Sequence, residues 1–289
     1  QVMEVQYVDA NPIRQNDGSF IIYVDSTTDE DNVSTCDFDD GYGAYSGGGC
    51  EGVDGLPNGK TSLREAMIVA NSGLTPLKIE FNIPTTDTGY RDYDDANTSS
   101  SGDSSNGDDY FLIALASSLP DIVSYKEVII DGATQETNSG NNRNTFGPDI
   151  LITGAGVATN IFKTLTDTAT KDLLDLTING FILSNTTGEL IATNYTYIAA
   201  DASENVTITN NYFCTDAKGL QLSSDCATHL IDSDTIKGEL NISNNLFGWF
   251  NSNINNIALR LGSPTATSHI EVINNKFGTN PAGTLLTKA

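Results

Sequence analysis

The sequence predicts an all-β fold and, within that class, a parallel β-helix in which short strands stack coil upon coil. The phrases VTITNNYF, LNISNNLF and IEVINNKF share one pattern of apolar residues, paired asparagines and a Phe. They recur at spacings of 34 and 30 residues, a period that indicates one supersecondary unit per repeat. β-Branched residues and Asn or Gly turns dominate these units. Because no helical pattern fits within them, helical solenoids are excluded.

Each position of the repeated phrase has an expected structural role. The apolar residues point into the coil, and the Asn pair turns the chain, because Asn tolerates the left-handed conformation of a sharp corner. The first Asn of each pair is expected to form a ladder of amide hydrogen bonds between coils about 4.8 Å apart. These residues are Asn210, Asn244 and Asn274. The aromatic residues expected to stack in the core are Phe213, Phe247 and Phe277.

Residues 1–75 are expected to precede the coils and to cap them. In MEVQY the apolar residues alternate with polar ones at the period of a half-buried strand, and they are Met3, Val5 and Tyr7. SFIIYV, at 19–24, predicts a second strand, and the Asp- and Gly-rich residues 25–60 predict a long loop. TSLREAMIVANSG predicts one short α-helix at about 61–73. Its apolar residues share one face, and Ser62 and Glu65 have the spacing of a capping box.

Residues 76–289 are predicted to form the parallel β-helix, as one continuous structural unit with the cap. Short apolar or alternating segments separated by turns predict its earlier strands. These segments are LKIEFNI, YFLIAL, EVIIDG, DILITG, DLTINGFILS and NYTYIAA.

The four cysteines fall into two close pairs, Cys36 with Cys50 and Cys214 with Cys226. Two loop-closing disulfides would each stabilise the fold by about 3 kcal/mol and indicate an oxidising compartment. Four unrelated buried thiols are the alternative. Neither pair has CxxC spacing and the chain has only two histidines, so the sequence does not predict a zinc site.

The charge balance limits the classes of partner. The chain of 289 residues has 14 Lys and Arg against 38 Asp and Glu, which argues against nucleic-acid binding. No apolar run is long enough for a membrane span. The acidic loop DFDDGYG presents oxygen ligands that suit Ca²⁺, with Asp37, Asp39 and Asp40 as the candidates. A solvated acidic loop is the alternative.

The segment TSLREAMIVAN resembles the motif of the CSLREA family of secreted and cell-surface β-helix proteins. Further matches follow in order: IEFNIP, LPDI, VIIDGATQ and GPDILITGAG, so that the similarity covers roughly residues 20–280. The resemblance implies a right-handed parallel β-helix with an N-terminal helical cap, export to the cell surface, and a structural or adhesive role. The family's Cys is Thr61 here, so any disulfide that this Cys makes in relatives is absent.

The predicted function is that of an extracellular, non-enzymatic structural protein. It would be a rigid rod acting as a cell-surface or fibre-forming subunit, or an adhesin for surface glycans. As a homo-oligomer or homopolymer, it would join its N-terminal strand to the uncapped last coil of another copy. The alternative is a carbohydrate-active enzyme, a polysaccharide lyase or glycoside hydrolase. Against it, the acids lie in loops instead of on strand faces, and His229 and His269 are isolated in the sequence.

Overall fold

The computed structural model describes fourteen segments of the chain. These are residues 12–30, 35–36, 50–51, 59–71, 76–92, 109–122, 127–164, 175–193, 205–220, 226–227, 229–236, 238–248, 257–264 and 268–284. They are mostly β-strands with two short helices, which confirms the predicted all-β class. Met3, Val5 and Tyr7, the acidic residues Asp37, Asp39 and Asp40, and the NYTYIAA segment lie outside the described residues.

The elements follow one another in chain order, and their bounds are as follows. They are β1 (Ile13–Arg14), β2 (Phe20–Val24), β3 (Thr35–Cys36), β4 (Cys50–Glu51), α1 (Leu63–Ala70), β5 (Leu77–Phe81), β6 (Tyr90–Arg91), β7 (Tyr110–Ala114), β8 (Glu127–Asp131), α2 (Thr134–Ser139), β9 (Ile150–Thr153), β10 (Phe162–Thr164), β11 (Asp175–Asn179), β12 (Phe181–Ser184), β13 (Glu189–Thr193), β14 (Asn205–Thr209), β15 (Tyr212–Phe213), β16 (His229–Ile236), β17 (Glu239–Ser243), β18 (Leu246–Phe247), β19 (Ile257–Pro264), β20 (His269–Ile273) and β21 (Lys276–Phe277).

Three sheets contain most of these strands. The first has the order β1-β2-β5-β8-β11-β14-β17-β20, the second β6-β7-β9-β12-β15-β18-β21, and the third β10-β13-β16-β19. Strand pairs in these sheets are parallel except β1 with β2 and β6 with β7. From β8 onward, consecutive strands lie in the first, second and third sheet in turn. We call a segment that contributes one strand to each sheet a repeat.

The strand register agrees with the spacing of the repeated phrase. Leu176 pairs with Val206, Val206 with Leu240, and Leu240 with Ile270 in the first sheet. The first three of these side chains are buried, as are the neighbouring Ile residues two positions on. Full burial of such a side chain stabilises the fold by about 1.5–3 kcal/mol. Residues one repeat apart in sequence therefore lie directly over one another and share the core.

The predicted N-terminal helix is present but shorter than expected. Helix α1 covers Leu63–Ala70 and not the whole of 61–73. Its capping box is formed as predicted, because the Ser62 hydroxyl accepts from the Glu65 N–H and a Glu65 carboxylate oxygen accepts from the Ser62 N–H at 2.7 Å. Arg64 fixes the helix to its surroundings through two hydrogen bonds to the Asp29 carboxylate, at 2.9 and 2.8 Å. The buried face of α1 packs on the same core as β2 and β5.

The second helix, α2, was not predicted from the sequence. Its residues, TQETNS, have no apolar periodicity, and their polar side chains instead bind the backbone at the end of β5. The buried Gln135 accepts from the Ile83 N–H at 2.8 Å and donates to the Ile83 carbonyl at 2.9 Å. Thr134 accepts from the Phe81 N–H at 2.8 Å. These side chains satisfy backbone groups that a neighbouring strand satisfies elsewhere in the sheets.

The middle of the chain shows two further differences from the predicted strands. The DLTINGFILS segment forms two strands, because Gly180 between β11 and β12 has a φ of 75° and turns the chain from the first sheet to the second. The strands of the third sheet were also missed. Among the described residues, neither helix is long and apolar enough to cross a membrane.

Candidate functional site

The corner between the first and second sheets is built from the Asn pairs. The first Asn of each pair has a positive φ: 55° at Asn210, 58° at Asn244 and 55° at Asn274. This is the left-handed conformation that the sequence predicts for the turn, and Asn adopts it more readily than most residues. All three side chains are exposed, and the Asn210 side-chain amide donates to the side-chain oxygen Oδ1 of Asn179 at 2.8 Å.

The buried amide ladder runs through the second Asn of each pair, not the first. Asn245 Oδ1 accepts from the backbone N–H of Asn211 at 2.9 Å and from its side-chain amide at 3.3 Å. Asn275 Oδ1 accepts the same two bonds from Asn245, at 2.9 and 3.0 Å. The prediction of a ladder at Asn210, Asn244 and Asn274 was therefore wrong by one position. The physical reason is that the left-handed residue turns its side chain outward and its successor points into the core.

Each amide of this ladder also binds a backbone carbonyl of the preceding repeat. Asn211 donates to the Ile178 carbonyl at 3.0 Å, and Asn245 donates to the Ile208 carbonyl at 2.9 Å. Asn211 is fully buried, so these bonds satisfy corner groups that water does not reach. The side-chain amides of the second Asn in each pair thus have a structural role.

The predicted aromatic stack is present. The rings of Phe213 and Phe247 are parallel to within 3° and 4.8 Å apart, and those of Phe247 and Phe277 are parallel to within 7° and 4.7 Å apart. These distances match the spacing of about 4.8 Å between neighbouring strands. Phe213 and Phe247 are fully buried, whereas Phe277 is 45% exposed.

The structure shows one of the two predicted disulfides. Cys214 and Cys226 are bonded, with Cα atoms 5.5 Å apart, and the bond closes a loop directly after Phe213. Cys36 and Cys50 are Cα partners in the antiparallel pair of β3 and β4. The described structure gives only this backbone register for Cys36 and Cys50.

A groove of about 290 Å³ lies beside the Asn corner. Its lining residues are Gly132, Ala133, Glu136, Gly147, Pro148, Asp149, Gly180, Asn210, Tyr212 and Asn244. The Tyr212 ring packs against Gly147, where a Cβ would stand only 2.4 Å from a ring carbon. The Tyr212 hydroxyl donates to the Phe146 carbonyl at 2.6 Å. These contacts fix the ring as one wall of the groove.

Asp149 is the unusual ionisable group of this groove. Burial raises its pKa to about 6, and the nearby charge of Glu136 adds to the effect. Hydrogen bonds from the backbone N–H groups of Asn144 and Arg143 lower the pKa of Asp149. The backbone nitrogen of Asn144 lies 2.7 Å from a carboxylate oxygen of Asp149. Sequence reasoning did not single out this residue, because its burial depends on how the loop before β9 packs.

The groove combines carboxylates, carboxamides and an aromatic wall. Glu136 and Asp149 supply the carboxylates, while Asn210 and Asn244 supply exposed amides. Such a set suits a ligand rich in hydroxyl groups. A carboxyl group with a raised pKa beside a second carboxylate is also the pairing that glycoside hydrolysis uses.

Comparisons of the chain with protein-family models, with curated proteins and with solved structures give no match. The resemblance to the CSLREA family therefore stays an expectation from the sequence motifs.

We expect the two residues of one Asn pair to respond differently to the same substitution. Asn245→Gly removes the acceptor for Asn211 and the donor for Ile208. It should lower the free energy of unfolding by at least about 2 kcal/mol, since each unsatisfied buried group costs about 1–3 kcal/mol. Asn244→Gly should change it by less than about 1 kcal/mol, because glycine accepts a positive φ. Urea denaturation measures both, and equal losses would contradict the assignment of the ladder.

We expect the contribution of the Asp149 carboxyl group to the free energy of unfolding to decrease as the pH rises from about 4 to about 6. Its pKa is raised from 3.8 to about 6, so in this window the folded state binds the proton that the unfolded chain releases. The stability of the wild type relative to Asp149→Asn should therefore fall by about 2–3 kcal/mol between pH 4 and 7.

The opposite sign is expected at Asp17, where hydrogen bonds from Ser19 lower the pKa. The stability of the wild type relative to Asp17→Asn should increase as pH rises through the acid range. Denaturant titrations at each pH give both curves. A wild-type curve parallel to that of Asp149→Asn would show that the carboxyl group is not perturbed.

Proposed function

We propose that the chain is a non-enzymatic structural part of an extracellular protein, a rigid rod with the fold of a right-handed parallel β-helix. The observation that carries this proposal is the stacking of successive repeats in register. Strands of three sheets join each repeat to its neighbours, and the buried Asn ladder and the Phe stack add contacts between the last three repeats. Repeats joined in this way bend and stretch little, since any displacement breaks several of these contacts together.

Two further features support a location outside the cell. The Cys214–Cys226 disulfide is typical of oxidising compartments. The net charge of −24 keeps a protein soluble and free of nonspecific contacts with nucleic acid.

The last described repeat offers a surface for assembly. Strands β19, β20 and β21 lie at the edges of the three sheets, on the same side of the stack. Val272 is 40% exposed, and Ile273 and Phe277 are each 45% exposed. An open strand edge with apolar side chains favours pairing with further strands. Pairing with a second copy would lengthen the rod into a homopolymer, and the N-terminal strand of that copy is the proposed partner.

Assembly is tested with the full chain by sedimentation velocity and negative-stain microscopy over a range of concentrations. We expect the wild type to form longer rods as its concentration rises, and Val272→Lys to stay monomeric, because a charge on the edge strand prevents pairing. The matched control is Val157→Lys, a residue 58% exposed in the loop after β9, which should assemble like the wild type. A wild type that stays monomeric throughout, or equal effects of the two lysines, would refute end-to-end assembly.

The second candidate function is carbohydrate binding or cleavage in the groove, favoured by the Glu136 and Asp149 pair. A glycan array and a panel of acidic polysaccharides test it. Binding without cleavage, weakened in Asp149→Asn, would indicate an adhesin. Cleavage abolished in Asp149→Asn would replace the structural proposal with an enzymatic one. Neither binding nor cleavage is expected if the groove is only a by-product of packing.

A further inference from the structure

Three side chains that are distant in sequence meet on the third sheet. Glu189 begins β13 and His229 begins β16, and the two are direct Cα partners in the parallel ladder. Asp232 lies three residues further along β16. One ligand atom from each of the three side chains lies within 4.8 Å of the others. The cluster joins two successive repeats and lies apart from the residues of the groove.

The imidazole of His229 carries the main evidence for a ligand. Its Nδ1 atom is buried and has no hydrogen-bond partner, although it lies 3.5 Å from Glu189 Oε1. The two atoms are not aligned as a hydrogen bond. A buried nitrogen without a partner is costly. A cation between the imidazole and the carboxylates would satisfy it.

The two carboxylates are each held by a neighbouring side chain. The Asn160 amide donates to Glu189 Oε2 at 2.7 Å, which leaves Oε1 facing His229. Arg260, the Cα partner of Asp232 on β19, donates to Asp232 Oδ2 at 3.2 Å. Outer hydrogen bonds of this kind orient the ligands of metal sites. Metal binding requires the imidazole to be neutral, and the two carboxylates then outweigh the one guanidinium in charge.

We propose that Glu189, His229 and Asp232 bind a divalent transition-metal ion, with Zn²⁺ as the representative ion. An imidazole nitrogen with carboxylate oxygens suits Zn²⁺ and its neighbours in the first transition row, whereas Ca²⁺ and Mg²⁺ prefer oxygen ligands alone. In tetrahedral coordination with bonds of about 2.1 Å, the ligand atoms around one Zn²⁺ lie about 3.4 Å apart. The three ligand atoms lie within 4.8 Å of one another, and Glu189, with its side chain 24% exposed, has room to adjust its position. The ion would cross-link two repeats from outside the core.

This metal site has no direct signal in the amino-acid sequence. The two cysteine pairs and two histidines lack the spacing of known zinc motifs, and 40 residues separate Glu189 from His229. Only the parallel pairing of β13 with β16 brings the three residues together.

The test uses the full chain freed of metal with a chelator and then titrated with Zn²⁺ by calorimetry and with Co²⁺ by visible absorption. We expect one Zn²⁺ per chain at micromolar affinity, a Co²⁺ spectrum characteristic of nitrogen and oxygen ligands, and a higher melting temperature with Zn²⁺. His229→Gln and Glu189→Gln should each weaken binding at least tenfold. Circular dichroism of the metal-free variants checks that they are folded.

The matched control is His269→Gln. His269 is the only other histidine of the chain, lies exposed on β20, and should be replaceable without loss of Zn²⁺ affinity. Asn160→Ala should weaken binding without abolishing it, because it releases Glu189 and keeps all three ligands. The proposal is overturned if the wild type binds no Zn²⁺ at 100 micromolar, a concentration about a hundredfold above the expected Kd. It is also overturned if folded His229→Gln binds like the wild type.

Discussion

Register between parallel strands is the constraint on which the rest of the structure depends. Successive strands of the first sheet pair Leu176, Val206, Leu240 and Ile270 in order. A residue type that recurs once per repeat therefore lies next to the same residue type in the repeats before and after it. This arrangement allows buried polar groups in the core. Asn245 is acceptable there because Asn211 on one side and Asn275 on the other supply its partners. The same vertical arrangement forces the Phe rings into parallel contact at the strand spacing.

The two residues of each Asn pair have different roles at the corner. The first, as at Asn244, provides a backbone with positive φ. The second, as at Asn245, provides a buried carboxamide that binds the corner of the preceding repeat. Glycine meets the first requirement, as at Gly180, but it has no side chain to meet the second. The pair therefore combines a conformational role with a hydrogen-bonding role.

The sequence predicted the all-β class, the register of the repeats, the capping box and the Phe stack, because each depends on a local pattern or a recurring residue. Recurrence alone did not show which Asn turns inward, since both recur equally. Helix α2 was missed because its contacts to β5 are made by polar side chains. The site candidates Asp149 and His229 were missed for a different reason. Burial of the first and the neighbours of the second arise from tertiary packing between segments that share no motif.

The hydrogen bonds of the Asn ladder reach both neighbouring repeats. Asn211 binds the backbone N–H of Phe181 and the carbonyl of Ile178 in the repeat before it, and its amide also donates to Asn245 Oδ1 in the repeat after it. A repeat without Asn can thus support one that has it. At each of these corners the acceptor for the backbone N–H comes from the following repeat: Asn211 Oδ1 for Phe181, Asn245 Oδ1 for Asn211, and Asn275 Oδ1 for Asn245. A repeat inserted between two of these would therefore need an Asn at the second position of its own corner to keep the buried groups on both sides satisfied.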